Sequence, residues 1–317
     1  VHNNQRDGMH RQAIARGRVA YEPNSLAGGC PFQAGARGFV SFPDPMQEDK
    51  VRGKPERFAE HYTQATLFWN SQSAVEKAHI VRAFRFELTR VQIAAIRERV
   101  VSMLANVADA LARAVADGLG IDVPMAMPMV APKVAKPEVK ASTALSLFAR
   151  PGDGSIKTRR IALLVAEGVD LDALGDLHTT LSGAGAVPRF VGMRLGRVEG
   201  VGDEAIDVEV TMEAAPAVLF DALVIPDGAA GIEALSADGQ AVEFVKDQYR
   251  HCKPILVLGS GVDLLAKAGI PSKLPSGDHD PGLLQFDAAE ITKAAAAFAA
   301  AIGKHRHFAR QTDPPAI

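Results

Sequence analysis

Residues 158–317 alternate short apolar runs with stretches of helical periodicity. The apolar runs are Arg160–Ala166, Val187–Val191, Asp221–Pro226 and Pro254–Leu258. After the first run, leucines recur at 171, 174, 177 and 181, which is the spacing of one helix face, and Gly183 ends that stretch. Strands that alternate with helices build a parallel sheet with helices on both faces. The sequence therefore predicts a doubly wound α/β domain over residues 158–317.

Residues 63–121 have the pattern of a small all-α domain. Ser73 and Glu76 have the spacing of a capping box, and apolar residues follow at helical spacing as far as Leu88. Thr89 is predicted to open a second helix. The apolar face of that helix is predicted to comprise Ile93, Ile96, Val100 and Leu104. A third stripe consists of Leu111, Val115 and Leu119, with a C-cap expected at Gly118–Gly120.

Two stretches rich in proline and glycine flank the helical domain. Residues 1–62 keep no helical or alternating period, so we expect an extended arm whose aromatic side chains lie on another surface. Residues 122–157 contain five prolines, at 124, 128, 132, 137 and 151, which predict an extended linker. The predicted organisation is thus an arm at 1–62, a helical domain at 63–121, a linker at 122–157 and an α/β domain at 158–317.

Composition and charge exclude several classes of protein. Hydrophobic residues make up 47% of the chain, which is enough for packed cores and argues against wholesale disorder. No apolar run approaches the ~20 residues of a membrane span. Residues 1–150 carry 20 Lys+Arg against 14 Asp+Glu, and residues 151–317 carry 15 against 23. This shift indicates a domain boundary, but neither half is charged enough to imply nucleic-acid binding.

The termini and the cysteines bear on location and completeness. No basic segment followed by an apolar segment begins the chain, so we expect no signal peptide. Cys30 and Cys252 lie far apart, so no disulfide framework is expected and a cytoplasmic location is the default. Because the first residue is Val1 rather than Met, we expect either a processed chain or a piece of a longer one.

The turn Gly259-Ser260-Gly261 is the most suggestive local motif, because it follows a predicted strand and precedes a predicted helix. A hydrolase elbow needs glycine two residues before and two after the serine, and those positions hold Leu258 and Val262. No Gly-Lys-Ser/Thr of a phosphate loop follows. A tight structural turn is therefore favoured, and a binding site is the alternative.

Several longer motifs resemble the haem catalase family. Residues Asn4–His10 (NQRDGMH) and Tyr21–Ser25 (YEPNS) are similar to the segment just downstream of the haem-ligand helix. Phe68–Ser73 (FWNSQS) and the following residues through Leu88 resemble the helical domain of these enzymes. The α/β domain is similar to the extra C-terminal domain of large-subunit catalases, which resembles flavodoxin-like and class I glutamine-amidotransferase-like folds.

The resemblance implies that the full-length parent dismutes hydrogen peroxide to water and oxygen at a haem, as a cytoplasmic homotetramer that defends against oxidative stress. The family assigns the chemistry to a distal His and Asn and to a proximal Tyr in an Arg-x-x-x-Tyr segment. This chain has three tyrosines, Tyr21, Tyr62 and Tyr249, and no arginine stands four residues before any of them. In the family these groups precede the Asn-x-x-Arg-Asp-Gly motif, and hence Val1. We therefore predict that this chain lacks the haem-binding barrel, holds no catalytic, cofactor-binding or metal-binding residue, and is inactive alone.

The resemblance also bears on the α/β domain. Related amidotransferase-like domains carry a nucleophilic Cys at the elbow, and the match of Lys253-Pro254-Ile255 puts Gly259 at that position. The domain is therefore expected to be non-catalytic. Its roles would be to stabilise the oligomer, to guard a channel or, as a chaperone-like module, to hold unfolded clients. A hydrolase that uses Ser260 or Cys252 is the remaining alternative.

Overall fold

The computed structural model describes residues 2–3, 21–22, 24, 26, 29–30, 32–38, 43–53, 56–130 and 137–317. The chain divides into two compact units, Val1–Pro55 and Glu56–Ile317. In the first unit, His2–Asn3 (β1) pairs antiparallel with Tyr21–Glu22 (β2). The motif at residues 4–10 and several aromatic residues of the expected arm, such as Phe39 and Phe42, lie outside the described residues.

Four helices form the helical domain. They are α1 (Thr63–Ser71), α2 (Ala74–Thr89), α3 (Ala94–Ala105) and α4 (Asp109–Leu119). The capping box is confirmed, because the Ser73 hydroxyl accepts from the Glu76 N–H at 3.3 Å and the Ser73 N–H donates to the Glu76 carboxylate at 2.9 Å. Gly120 adopts a left-handed conformation (φ 64°) and ends α4. The buried core of this domain comprises Trp69, Leu88, Val101, Leu104, Leu111, Ala112, Val115 and Ala116.

The second helix does not begin where the sequence predicts. Thr89 is the last residue of α2, where its hydroxyl donates to the Phe86 carbonyl at 3.0 Å. Helix α3 begins only at Ala94, so its buried face falls on Val101 and Leu104. Ile93 and Ile96 are exposed. The apolar pattern alone could not show which part of the stripe lies against the other helices.

The described part of the linker contains no α-helix. Its second half contains two short 3-10 helices, Thr143–Leu145 and Leu147–Ala149. The linker is fastened to α2 through Glu76, whose carboxylate accepts from the Leu147 N–H at 2.8 Å and from the Ser146 hydroxyl at 2.9 Å. Burial alone would raise the pKa of Glu76, but the hydrogen bonds donated by Ser73, Leu147 and Ser146 lower it overall.

Six parallel strands form the sheet of the α/β domain, in the order β10-β9-β8-β3-β4-β7. Their bounds are β3 Arg160–Val165, β4 Val187–Gly192, β7 Val210–Thr211, β8 Ala222–Ile225, β9 Ile255–Leu258 and β10 Leu283–Phe286. Strand β3 is central, and Ile161–Leu164 has no exposed surface, as a strand covered on both faces requires. Gly196–Glu199 (β5) and Ala205–Val208 (β6) form a separate antiparallel hairpin.

Apart from the last, short helix, the helices described in this domain form two groups. Their bounds are α5 Leu171–Gly183, α6 Ala229–Ala237, α7 Gly239–Arg250, α8 Val262–Lys267, α9 Ile291–Gly303 and α10 Ala309–Thr312. Helix α5 packs against α9, whereas α6 packs against α7 and α8. Crossovers that leave the central strand in opposite directions place their helices on opposite faces, so the two groups form two layers. Of the helices that the structure describes, none combines the length and the apolar composition needed to cross a bilayer.

The short helix α10 ties the C-terminal end of the chain to its surroundings. Arg310 is buried, and its Nε donates to the Asp280 carboxylate at 2.7 Å while its Nη1 donates to the Lys253 carbonyl at 2.7 Å. The next residue, Gln311, accepts through its side-chain oxygen from Arg82 of α2 at 3.1 Å. Helix α10 therefore joins the helical domain to the α/β domain.

Candidate functional site

The carboxyl ends of β3 and β8 mark the point where the strand order reverses, which is where ligands bind in open α/β sheets. A cavity of about 530 Å³ lies there. It is lined by Asp170, Leu171, Asp172, Gly200, Val201, Gly202, Glu204, Asp227, Gly228 and Ala229. The loops after β3 and β8 and the turn of the β5–β6 hairpin supply these residues.

The lining of this cavity is acidic. Asp170 caps α5, since its side chain accepts from the Ala173 N–H at 3.2 Å. Its own N–H donates to the Asp227 carbonyl at 2.9 Å, which links the loops after the two strands. A hydrogen bond with Asp172, followed by repulsion from the neighbouring carboxylates, raises the pKa of Glu204. Phosphate, the usual ligand at such strand ends, would meet like charge here.

The turn after β9 is organised by the carboxylate of Asp227. Ser260 donates to the Asp227 Oδ1 through its hydroxyl at 2.6 Å and through its N–H at 2.8 Å, and the Gly228 N–H donates to the same oxygen at 2.7 Å. Gly259 has a left-handed backbone (φ 46°), and a Cβ at this position would collide with the Asp227 carboxylate. Asp227 therefore fills the space that a nucleophile at residue 259 would occupy.

The Ser260–Asp227 pair does not activate the serine. The hydrogen bond from the Ser260 hydroxyl lowers the pKa of Asp227, which makes its carboxylate a weaker base. In the described part of the chain, no histidine is hydrogen-bonded to Ser260, so the base that a serine nucleophile needs is not in place. The arrangement fixes a turn, in agreement with the structural interpretation of the motif.

Cys252 is equally unsuited to nucleophilic chemistry. Its side chain is fully buried, and burial raises the pKa of its thiol above the ordinary range. Reactive cysteines have the opposite character, with a lowered pKa and an accessible sulfur. Cys252 and the exposed Cys30 are both free thiols, as the absence of a disulfide framework from the sequence pattern predicts.

The tyrosines whose side chains the structure describes do not fit a haem ligand. Burial, and then the charge of Asp280, raises the pKa of Tyr249, which disfavours the phenolate that would bind iron. Tyr62 lines a cavity of only about 250 Å³, below the usual size of a drug-sized ligand pocket. Among the described residues, no group of three or more His, Cys, Asp or Glu side chains could hold a metal ion. That the chain holds no catalytic or cofactor ligand stays a prediction.

The residues weighed in the sequence are thus dispersed. Ser260 lies at the carboxyl edge of the sheet, and Cys252 lies beyond the end of α7, in the core. Sequence reasoning missed Asp227, although a signal for it was present. Asp227 directly follows a predicted strand, and the carboxyl ends of parallel strands meet at one edge.

Within the unit Glu56–Ile317, fold and site together define a helical bundle that precedes a parallel α/β domain, in which Gly259 leaves the elbow without a side chain. Two family models match the chain. The model "Catalase-related immune-responsive" covers residues 55–119, and "C-terminal domain found in long catalases" covers residues 157–312.

Whole-chain similarity points to the same family. The chain is 36% identical over 321 residues to Catalase HPII of Pseudomonas aeruginosa, a match that covers 100% of this chain and 43% of the relative. It is 38% identical over 324 residues to Catalase HPII of Mycobacterium avium, with 99% and 44% covered, and 31% identical over 331 residues to Catalase-1 of Neurospora crassa, with 99% and 44% covered. The chain belongs to the long catalases and corresponds to their C-terminal part, as the sequence resemblance predicts. It spans less than half the length of these relatives.

Proposed function

We propose that this chain is the structural C-terminal part of a haem catalase that dismutes hydrogen peroxide to water and oxygen. The observation that carries the proposal is the similarity of the whole chain to proteins named catalase, over both a helical and an α/β domain. The haem, the peroxide substrate, the homotetramer and the cytoplasmic location belong to the full-length parent in this proposal. The chain alone would not turn over peroxide.

The finer architecture that we propose for the α/β domain is flavodoxin-like. Counted along the chain, its five strands of four or more residues lie in the order 2-1-3-4-5, which is the flavodoxin order. The two-residue strand β7 adds to the edge beside β4. In this proposal, β7 is an addition to the flavodoxin plan.

The role that we propose for the α/β domain is structural. The support is the collision that any side chain at Gly259 would make with Asp227, together with the buried ion pair that anchors α10. A domain with these features can fix the position of the helical domain through Gln311 and Arg82 without chemistry of its own.

Two measurements test the proposal. Oxygen release from peroxide is followed for the purified chain with added haemin, and we expect no turnover above that of haemin alone. Antibodies against the chain are used to deplete an extract of the source cells, and we expect peroxide-degrading activity to leave with a polypeptide heavier than 33.6 kDa. Turnover by the chain, or depletion that leaves the activity in the extract, would refute the proposal.

A chaperone-like module is the second candidate function. The observation that favours it is the exposure of large apolar side chains on the α/β domain, at Leu195, Val201 and Val218. We would expect the chain to suppress the aggregation of a heat-unfolded client at equimolar ratio, and Val218→Ser to weaken that effect. Unchanged aggregation at excess chain would dismiss this candidate.

A further inference from the structure

A second cavity lies at the opposite end of the sheet from the acidic one. It measures about 830 Å³ and forms where the linker passes the last turn of α9 and the segment that precedes β3. Its lining consists of Leu147, Phe148, Arg150, Pro151, Gly152, Gly154, Arg159, Ala300, Gly303, Lys304, His305, Arg306 and Phe308. Neither the turn at Gly259–Gly261 nor the family resemblance assigns a role to this cavity.

Positive charge dominates one side of this cavity. Arg150, Arg159, Lys304 and Arg306 all line it, and no carboxylate is among the lining residues. Outside the lining, the Oδ1 of Asp221 lies 3.7 Å from the Arg159 Nη1 and 4.0 Å from the His305 Nδ1. Within the described residues, neither Arg150 nor Lys304 forms an ion pair. Cations gathered around so little negative charge create a favourable potential for an anion.

The other side of the cavity is apolar. Leu147 is 77% exposed and Phe148 is 51% exposed, which leaves their side chains open to a ligand. The rings of Phe148 and Phe308 meet edge to face, with their centroids 5.7 Å apart. An aromatic edge beside guanidinium groups suits a ligand that has one apolar and one charged end.

The backbone holds these two sides in place. A Cβ on Gly303 would lie 2.5 Å from the Gly154 carbonyl oxygen, so the linker approaches the end of α9 closely because residue 303 has no side chain. His305 has a left-handed backbone (φ 64°), which ends α9 and starts the segment that carries Arg306 and Phe308. The cavity is therefore formed before any ligand arrives.

We propose that this cavity binds an organic phosphate monoester, whose apolar group contacts Leu147, Phe148 and Phe308 and whose phosphate contacts the surrounding arginines and Lys304. A phosphate dianion matches several cations better than a carboxylate does, and planar guanidinium groups bind its oxygens in pairs. The apolar side gives affinity that inorganic phosphate cannot obtain.

The experiment is calorimetric titration of the full chain with phenyl phosphate, compared with inorganic phosphate, phenol and benzoate. We expect one site for phenyl phosphate with a Kd of about 1 mM or tighter, and binding at least about tenfold weaker for each of the other three compounds. The double variant Arg150→Gln/Lys304→Gln removes two exposed charges and should weaken phenyl phosphate at least about tenfold. Leu147→Ser should weaken phenyl phosphate and leave inorganic phosphate unchanged.

The matched control is Arg197→Gln/Lys267→Gln, which removes the same net charge from exposed positions on β5 and α8, outside the cavity. It should change the Kd less than about twofold. Circular dichroism melting verifies that each variant folds, and Lys304→Gln alone replaces the double variant if the latter does not. No saturable binding of phenyl phosphate, equal binding of benzoate, or equal weakening by the control pair would overturn the proposal.

Discussion

Lys253 allows a direct test of how a buried charge in the α/β core changes the free energy of unfolding. Its side chain is only 3% exposed, and its Nζ donates to the Ala217 carbonyl at 2.9 Å and to the Val218 carbonyl at 3.4 Å. Burial lowers the pKa of Lys253 from its ordinary 10.5 to about 8. Replacement by methionine keeps the length of the side chain and removes the charge. Ala217 keeps another donor in Gln248, at 2.6 Å.

The sign of the effect follows from the lowered pKa. Between about pH 8 and 10.5 the unfolded chain still binds this proton whereas the folded chain does not, so Lys253 makes the free energy of unfolding rise with pH. One pKa unit corresponds to about 1.4 kcal/mol, so the whole interval corresponds to about 3 kcal/mol. Burial raises the pKa of Cys252 and Tyr249, and their contributions therefore fall with rising pH. Both groups are present in wild type and variant, and they cancel in the difference.

The assay is urea unfolding of wild type and Lys253→Met at intervals from pH 7 to 10.5. We expect the free energy of unfolding of the wild type, relative to that of the variant, to rise by about 2–3 kcal/mol from pH 7 to pH 10.5. Lys267→Met, at an exposed position on α8, should show a far smaller gain because water solvates its ammonium in both states. A difference between wild type and Lys253→Met that does not change with pH would refute the argument from burial.

Three further predictions concern the other contacts that hold the structure. Arg310→Met leaves Asp280 buried without its cation and should lower the free energy of unfolding by about 3–5 kcal/mol in urea. Gly259→Ala forces a side chain against Asp227 at a left-handed φ and should cost at least about 2 kcal/mol in thermal unfolding, part of which Asp227→Ala restores in the double variant. Glu76→Gln should flatten acid unfolding, because the lowered pKa of Glu76 stabilises the fold above the ordinary pKa and loses that effect as pH falls through the folded value.

Each of these predictions has a matched control. Arg113→Met breaks an exposed ion pair with Asp109 and should cost at most about 1 kcal/mol. Gly183→Ala adds a Cβ where no atom lies within 4 Å and should leave stability unchanged or slightly higher. Glu87→Gln, exposed on the same helix as Glu76, should leave acid unfolding close to wild type. If a test variant and its control changed stability equally, the stabilising role that we assign to the corresponding contact would be wrong.

The local sequence pattern predicted much of the architecture, because burial of a strand and capping of a helix depend on residues that are close in the sequence. A strand covered on both faces must be apolar throughout, and the run at Arg160–Ala166 became the central strand. The Ser73–Glu76 capping box formed because both partners lie within one helical turn. The hairpin β5–β6 and the short strand β7 escaped prediction, since their pairing depends on residues outside each strand.

The candidate sites are formed by residues that lie far apart in the sequence and close together in the folded chain. The sequence resemblance predicts that Gly259 stands at the elbow position, but only the tertiary structure brings Asp227 from the end of the neighbouring strand into that space. The same is true of the phosphate proposal, since Arg150 and Lys304 are separated by a whole domain in the sequence and line one cavity in the fold. The sequence by itself determined the capping box, the buried central strand and the helix that follows it, and the similarity to long catalases. Which side chains meet was decided by the packing of those elements, because contact energies act over a few ångströms regardless of the number of residues between the partners.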